Sequence, residues 1–188
     1  MGHEVSEAFT IGRVVLFNGP PSSGKTNLVR SLIQSIGEPW FHLSLDGFRS
    51  GLADQWWVND DGHLFHQVMV GYLASLREMA LAGSDVLAEA VITPARRALY
   101  ESTFGETPIV LIGVQCPLEV AMQRDSNRTD RLRGPIDLPP ADFAAIHAGL
   151  IYDFEINTST AAPVELAAQL TVVVRKITPS SFARHLLR

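Results

Sequence analysis

The chain has 188 residues, of which 46% are hydrophobic and 19% are charged. This length can bury one sizeable core, so we expect a single domain over residues 1–188, with residues 1–10 as a loose N-terminal end. The formal net charge of −5 argues against a nucleic-acid partner, because nucleic-acid-binding proteins usually carry a basic excess. The chain has one cysteine, Cys116, no signal-peptide pattern and no apolar stretch of about 18 residues. We therefore expect a cytoplasmic protein with no membrane partner.

Apolar runs alternate with helical patterns along the chain. Strands are predicted at 14–17, 40–45, 85–91, 109–114 and 154–156. Helices are predicted at 27–36, 65–79, 117–124, 141–150 and 163–176. This alternation is typical of an α/β fold with a parallel sheet covered by helices on both faces.

The segment 19–26, GPPSSGKT, fits the phosphate-binding pattern G-x-x-x-x-G-K-[ST] and lies between the first strand and the first helix. In such a loop, backbone N–H groups surround the phosphates, the lysine reaches their outer oxygens and the threonine hydroxyl ligates Mg²⁺. We predict that the chain binds a nucleoside triphosphate with Mg²⁺, with Lys25 also catalytic; a glycine-rich turn without a ligand is the alternative. The predicted nucleotide-binding residues here are Gly19, Ser22, Ser23, Gly24, Lys25, Thr26 and Asn27.

Two acidic residues follow the second and third predicted strands, at the sheet edge where ligands of open α/β folds bind. Asp46 is expected to be catalytic, by accepting or orienting the proton of an acceptor hydroxyl, and Phe48 to contact the acceptor. Glu89 is expected to support Mg²⁺, together with Thr26, or to position the acceptor. The structural alternatives are a helix N-cap for Asp46 and a solvent-exposed strand end for Glu89.

The segment 52–62 is too aromatic for an ordinary solvent loop and too polar for a core. Trp56 and Trp57 offer large apolar faces to a flat acceptor, while Asn59 and Asp60 can hydrogen-bond its polar groups. We predict that this segment walls the acceptor pocket. Simple packing of a long loop against the domain is the equal alternative.

Four arginines follow the fourth strand within one polar stretch, namely Arg124, Arg128, Arg131 and Arg133. Arg124, Arg128 and Arg131 share a side of a continuous helix, and the region of about 124–138 is predicted to form a lid. Planar guanidinium groups grip phosphate bidentately, so Arg124 and Arg128 are expected to bind nucleotide, and Arg128 and Arg131 to be catalytic. The alternative is a solvated surface whose charges pair locally.

Taken together, these residues resemble the chloramphenicol phosphotransferase family of P-loop kinases over roughly residues 13–176. The motifs that carry the resemblance are the loop at 19–26, Glu38-Pro39-Trp40, Asp46, the arginine spacing, His147-x-Gly149-x-x-Tyr152-Asp153-x-Glu155 and Thr158. The resemblance implies a five-stranded parallel sheet of order 2-3-1-4-5, transfer of the ATP γ-phosphoryl group to a substrate hydroxyl, and Asp46 as the base. Where the family carries two aspartates after its third strand, this chain has Glu89-Ala90, so acceptor identity stays open.

The leading hypothesis is an ATP- or GTP-dependent phosphotransferase that inactivates an antibiotic, chloramphenicol-like or a nucleoside antibiotic, at a hydroxyl group. A metabolite kinase of shikimate or gluconate type is the nearest alternative, and a nucleotide-hydrolysing switch is a third. No purine-specific motif distinguishes ATP from GTP. The apolar tail 182–188 either packs on a second copy, giving a homo-oligomer, or completes its own fold.

Overall fold

The computed structural model of the chain describes residues 10–57, 60, 62–127 and 140–187. The strands are β1 Val14–Asn18, β2 Phe41–Leu43, β3 Val86–Ala90, β4 Pro108–Gln115, β5 Phe154–Asn157 and β6 Ser180–Ser181. The helices are α1 Lys25–Ser35, α2 Leu45–Arg49, α3 His63–Leu81, α4 Arg97–Phe104, α5 Leu118–Ser126, α6 Pro140–Ala145 and α7 Pro163–Lys176. Short 3-10 turns occupy Asp54–Trp56, Pro94–Arg96 and Phe182–His185. No helix within the described ranges has both the length and the apolar character to cross a membrane.

Five strands form a parallel sheet in the order β2-β3-β1-β4-β5, which confirms the predicted α/β fold and strand order. The two-residue β6 adds an antiparallel pairing with the start of β4. In the central strands, Asn18 lies opposite both Ala90 and Gly113. Because parallel strands end at the same sheet edge, the loop that follows Asn18 begins in the middle of that edge.

The apolar run of β1 is continuous because both faces of the sheet are covered. Val14 and Leu16 pack in one core cluster with residues of α3, while Val15 and Phe17 pack in a second cluster with residues of α1 and α7. All four side chains are fully buried. Burial on both faces is the environment that parallel strands need, and it removes the polar alternation of an exposed sheet.

The second strand is shorter than predicted, and this changes the setting of Asp46. Ser44 Oγ accepts the Gly47 N–H at 3.1 Å, so Ser44 caps a new helix directly after Leu43. Asp46 therefore lies in the first turn of α2 rather than at a strand end, and the alternative in which Asp46 is the N-cap is wrong. The predicted lid lies outside the described residues from 128 onwards.

The C-terminal tail packs into the same body as the sheet. Phe182 is fully buried, with its ring stacked on Tyr100 at a centroid distance of 5.7 Å and on Phe104 at 6.4 Å. Leu187, by contrast, is 62% exposed. The tail up to residue 186 therefore completes the fold of its own chain, and among the described residues of the tail Leu187 presents a large apolar side chain to solvent.

Candidate active site

The loop between β1 and α1 has the backbone shape that its glycines dictate. A Cβ on Gly19 would lie 2.5 Å from the Val114 carbonyl oxygen, so a side chain has no room there. Gly24 and Ser22 both have left-handed backbone, with φ of 90° and 55°. Ser22 is not a glycine, and its Oγ donates to Asp125 Oδ1 at 2.7 Å. The close packing of Gly19 and the hydrogen bond of Ser22 therefore hold the loop in its curved shape.

Lys25 lies inside this curve. Its side chain is buried, and Nζ donates to the Gly19 and Pro20 carbonyl oxygens at 2.8 Å each. It also approaches Ser23 Oγ at 3.5 Å. The ammonium group is thus directed into the space that the loop encloses, where it can meet phosphate oxygens as a point charge.

A buried chain of hydrogen bonds joins the first helix to the two neighbouring strands. Thr26 Oγ1 donates to Glu89 Oε2 at 2.7 Å, and His42 Nε2 lies 2.9 Å from Glu89 Oε1. The Glu89 side chain is 11% exposed, so the solvent-exposed alternative for this residue is wrong. Burial raises the pKa of Glu89, but hydrogen bonds to His42 and Thr26, with the charge of Lys25, outweigh it and lower the pKa below its usual value.

His42 was not among the sequence-predicted site residues. It lies beside Leu87 on β3, and only the register of the two strands brings its ring to the carboxylate of Glu89. The sequence places His42 within the second predicted strand and Glu89 near the end of the third, but it does not give that register. His42 fixes the orientation of one carboxylate oxygen and leaves the other facing Thr26.

On the acceptor side, α2 exposes Asp46 to solvent and packs the partly buried Phe48 against the core. The Asp46 side chain is 77% exposed, and its Oδ1 accepts one long hydrogen bond, 3.4 Å, from Arg49 Nη1. The Phe48 ring packs edge-on against Tyr72 at 5.3 Å. The Tyr72 hydroxyl in turn donates to the Glu89 carbonyl at 2.8 Å and approaches the Leu43 carbonyl at 3.2 Å. Phe48 thus anchors α2 next to Glu89, while Asp46 faces solvent.

The tryptophan segment divides into a buried and an exposed half. Trp57 is 6% exposed and lies under the guanidinium group of Arg49, at 5.0 Å, whereas Trp56 is 61% exposed. Asp60 caps α3: its carboxylate accepts N–H groups of three residues at 3.0 to 3.1 Å, Gly62, Leu64 and Phe65. The predicted acceptor contact of Asp60 is therefore replaced by helix capping, and Asn59 lies outside the described residues.

Arg124 holds the phosphate-binding loop in place through hydrogen bonds. Its Nη1 donates to Thr158 Oγ1 at 2.9 Å and to the Ser23 carbonyl at 3.3 Å, and its Nη2 donates to the Thr158 carbonyl at 2.8 Å. Thr158 Oγ1 also donates to the Ser23 carbonyl at 2.5 Å. Arg124 thus holds the loop through Ser23, while Arg128 and Arg131 lie outside the described residues.

A second buried network lies at the end of β1. Asn18 Oδ1 accepts the Ile92 N–H at 2.8 Å, so its amide nitrogen donates to the Tyr152 hydroxyl at 2.7 Å. The Tyr152 hydroxyl is also hydrogen-bonded to His147 Nδ1, at 2.7 Å. Burial, with a smaller contribution from the charge of Lys25, lowers the pKa of His147 despite the opposing effect of Glu155. His147 is therefore a neutral ring near neutral pH.

The family described as chloramphenicol phosphotransferase-like protein matches residues 12–175. The chain belongs to this family. The phosphotransferase-like chain is 28% identical over 186 residues to two Mycobacterium tuberculosis proteins, of strains CDC 1551 and H37Rv, whose names propose an O-phosphotransferase; the match covers 85% of this chain and 80% of each relative. The sequence-based family assignment is confirmed.

Solved structures of kinases share the fold of this phosphotransferase-like chain. Shikimate kinase from Acinetobacter baumannii in complex with shikimate has a TM-score of 0.59 at 18% identity and covers 91% of this chain and 98% of its own. The APS kinase of Mycobacterium tuberculosis, bound to AMPPNP and APS, has a TM-score of 0.59 at 17% identity, with 88% and 98% covered. The tunicamycin resistance protein of Deinococcus radiodurans has a TM-score of 0.60 at 19% identity, with 90% and 98% covered. Family and fold together make this chain an enzyme of the P-loop kinase type that transfers phosphate.

Proposed function

We propose that this enzyme transfers the γ-phosphoryl group of ATP or GTP to a hydroxyl group of a small molecule. The observation that carries the proposal is the arrangement at one sheet edge: Lys25 inside the loop, the Thr26–Glu89 pair beside it, and the exposed carboxylate of Asp46 on α2. Glu89 and Asp46 are linked through Tyr72, whose hydroxyl meets the Glu89 backbone and whose ring meets α2. A nucleotide site and an exposed carboxylate thus share one edge.

In the proposed reaction, the acceptor oxygen forms a bond to the γ-phosphorus while the bond between that phosphorus and the β–γ bridging oxygen breaks. The nucleoside diphosphate leaves, and the hydroxyl proton passes to Asp46. Asp46 suits this role because its carboxylate is exposed and holds one long contact. Lys25 offsets the phosphate charge, and Arg128 and Arg131 stay predicted contributors from beyond the described residues.

The residues around Thr26 fit Mg²⁺ as the metal. The Thr26 hydroxyl and the ionised Glu89 carboxylate are adjacent hard oxygen donors, the ligand type that Mg²⁺ prefers, and Mg²⁺ usually takes few protein ligands. When bound, Mg²⁺ would be held by Thr26 and Glu89 and would supply positive charge that offsets the charge of the phosphates. Within the described ranges no group of three or more His, Cys, Asp and Glu is arranged to hold a metal ion, so Thr26 and Glu89 carry this part of the proposal.

The acceptor has two candidate classes. An antibiotic hydroxyl, modified to give resistance, is supported by the family description and by the fold shared with a tunicamycin resistance protein; the exposed face of Trp56 suits a flat acceptor. A small metabolite is the second candidate, supported by the fold shared with shikimate kinase and by the guanidinium group of Arg49 beside Asp46. A cytoplasmic location and a homo-oligomer stay predictions.

The test is nucleotide turnover with Mg²⁺ across a panel of hydroxyl compounds, with mass spectrometry of each acceptor. We expect one acceptor to gain a single phosphoryl group, and Lys25→Ala and Asp46→Asn to reduce that transfer by at least about a hundredfold. The matched controls are Lys176→Ala, the other lysine of the chain, and Glu101→Gln, an exposed carboxylate-to-amide change on α4. Transfer at the wild-type rate in either site variant would overturn the proposal. Nucleotide hydrolysis at one rate whatever acceptor is added would also overturn it and would favour a nucleotide-hydrolysing switch.

A further inference from the structure

Two arginines on the acceptor side lie against one aromatic ring. The Cζ atoms of Arg49 and Arg96 lie 5.9 Å and 4.9 Å from the centroid of the Phe65 ring. Arg49 also lies 5.0 Å from the Trp57 ring, so aromatic and cationic groups alternate through four residues. These residues come from α2, from α3 with the loop before it, and from the turn after β3. The stack therefore lies on the acceptor side of the candidate site, beside Asp46.

The hydrogen-bonding capacity of these guanidinium groups is largely unused. Arg49 is 15% exposed, and its Nε and Nη2 are shielded from solvent without a partner among the described residues. Its remaining contact is the 3.4 Å bond from Nη1 to Asp46. Arg96 makes one long contact, 3.5 Å from Nη1 to the Val91 carbonyl, and within the described part of the chain no carboxylate lies within 4.0 Å of it.

Unused N–H groups are costly for a folded protein where they are shielded from solvent, as Nε and Nη2 of Arg49 are. A guanidinium group has five N–H donors, and burying them unpaired carries a desolvation cost that a single long hydrogen bond does not offset. The flanking rings stabilise the two charges through cation–π contacts, but they accept no conventional hydrogen bond. An anionic group from outside the chain would give Nε and Nη2 of Arg49 a partner, and Arg96, with its one long hydrogen bond, is a second cation against the same ring.

We propose that the acceptor carries an oxyanion group, carboxylate, sulfate or phosphate, which Arg49 and Arg96 bind while its hydroxyl lies at Asp46. This inference rests on the proposed phosphotransferase function. Asp46 and Arg49 are three residues apart and share one side of α2, so one small molecule can reach both. The two cations also offset the repulsion that Asp46 exerts on an anionic acceptor. Neutral compounds such as chloramphenicol have no group that can make these contacts. The inference therefore favours a small metabolite as the acceptor.

The first experiment measures anion binding alone. The enzyme is saturated with AMPPNP and Mg²⁺, so that the phosphate-binding loop is filled, and sodium sulfate is titrated at constant ionic strength. Tryptophan fluorescence reports binding, because Trp57 stacks on Arg49. We expect a saturable change that Arg49→Met and Arg96→Met each weaken by about tenfold or more. The control is Arg77→Met, an exposed arginine of α3 that pairs with Glu78. Identical sulfate binding in wild type and Arg49→Met, or no saturable change, would overturn the inference.

The second experiment compares matched acceptors, shikimate with its methyl ester and gluconate with glucitol, by mass spectrometry of phosphoryl transfer. We expect transfer to favour the acidic member of a pair, and Arg49→Met to raise its KM more than it lowers kcat, with partial recovery in Arg49→Lys. Equal transfer to acidic and neutral members would overturn the oxyanion inference but leave the phosphotransferase proposal standing. Sulfate binding that depends on Arg49, without transfer to any hydroxyl compound, would support the anion site and count against the proposed function.

Discussion

Two buried tyrosines provide a matched test of what holds the site together. The side chains of Tyr72 and Tyr100 are 1% and 2% exposed. The Tyr72 hydroxyl donates to the Glu89 carbonyl and approaches that of Leu43, at the ends of β3 and β2. Within the described residues, Tyr100 makes no such bond and contributes ring stacking with Phe104 and Phe182. Phenylalanine at each position keeps the ring and removes the hydroxyl alone.

The expected magnitudes differ because one hydroxyl has partners and the other does not. Tyr72→Phe leaves buried carbonyl groups without their donor, which costs about 1 to 3 kcal/mol of the free energy of unfolding. Tyr100→Phe should change that free energy by about 0.5 kcal/mol or less, since no buried group loses a partner. At roughly 2 to 4 °C per kcal/mol for a chain of this size, Tyr72→Phe should lower Tm by about 2 to 12 °C.

The assay is urea unfolding of wild type and both variants, followed by circular dichroism and analysed by linear extrapolation. We expect the midpoint of Tyr72→Phe to fall with an unchanged m value, because the ring still fills its place. If Tyr72→Phe proves as stable as Tyr100→Phe, the hydroxyl contributes nothing to holding β2 and β3 together. Tyr72 would then also have no part in holding the backbone of Glu89 in place.

Two further predictions concern pH and helix capping. The pKa of His147 lies below its ordinary value of 6.5, so below about pH 6.5 the unfolded chain takes up a proton that the folded chain does not. The urea midpoint of the wild type should therefore fall as pH drops from 7 to 5. This fall should be smaller in His147→Gln and unchanged in the control His66→Gln, whose histidine is exposed. The same dependence on pH in both variants would contradict the role assigned to the burial of His147. Asp60→Ala should cost about 1 to 2 kcal/mol in urea unfolding because three N–H groups of α3 lose their acceptor, and a loss no larger than that of the exposed Asp54→Ala would refute the capping role.

The local pattern of the sequence predicted the strand, turn and helix around residues 19–26, whereas the strand order was implied by the family resemblance. The segment 19–26 fixes a strand, a turn and a helix within about twenty residues, and the family resemblance supplied the order of the sheet. The short helix α2 was missed because residues 40–45 have strand propensity throughout, and only the hydrogen bond from Gly47 to Ser44 ends the strand early. At this point the helix cap at Ser44, and not the strand propensity of the segment, determines where the strand ends.

Contacts between distant segments could not be predicted in the same way. The pairing of His42 with Glu89 depends on strand register, and Arg124 meets Ser23 across a separation of 101 residues. Asp60 did leave a usable pattern: an aspartate shortly before a helical stripe is a common cap. Its neighbours Trp56 and Trp57 favoured an acceptor-pocket interpretation instead. The structure shows that Trp57 packs inward and only Trp56 faces solvent.

The phosphate-binding loop draws its rigidity from parts of the chain that are synthesised much later. Ser22 and Ser23 are held by Asp125 and Thr158, at separations of 103 and 135 residues. A nascent chain that has produced the loop but not these segments lacks both supports, although the motif itself is complete. We therefore expect nucleotide binding to come late in folding, and we expect retention on immobilised ATP to select for chains that have finished folding. Bound nucleotide should in turn stabilise the folded chain, in which the loop is joined to these later segments. Nucleotide can therefore be added during purification to keep the enzyme folded.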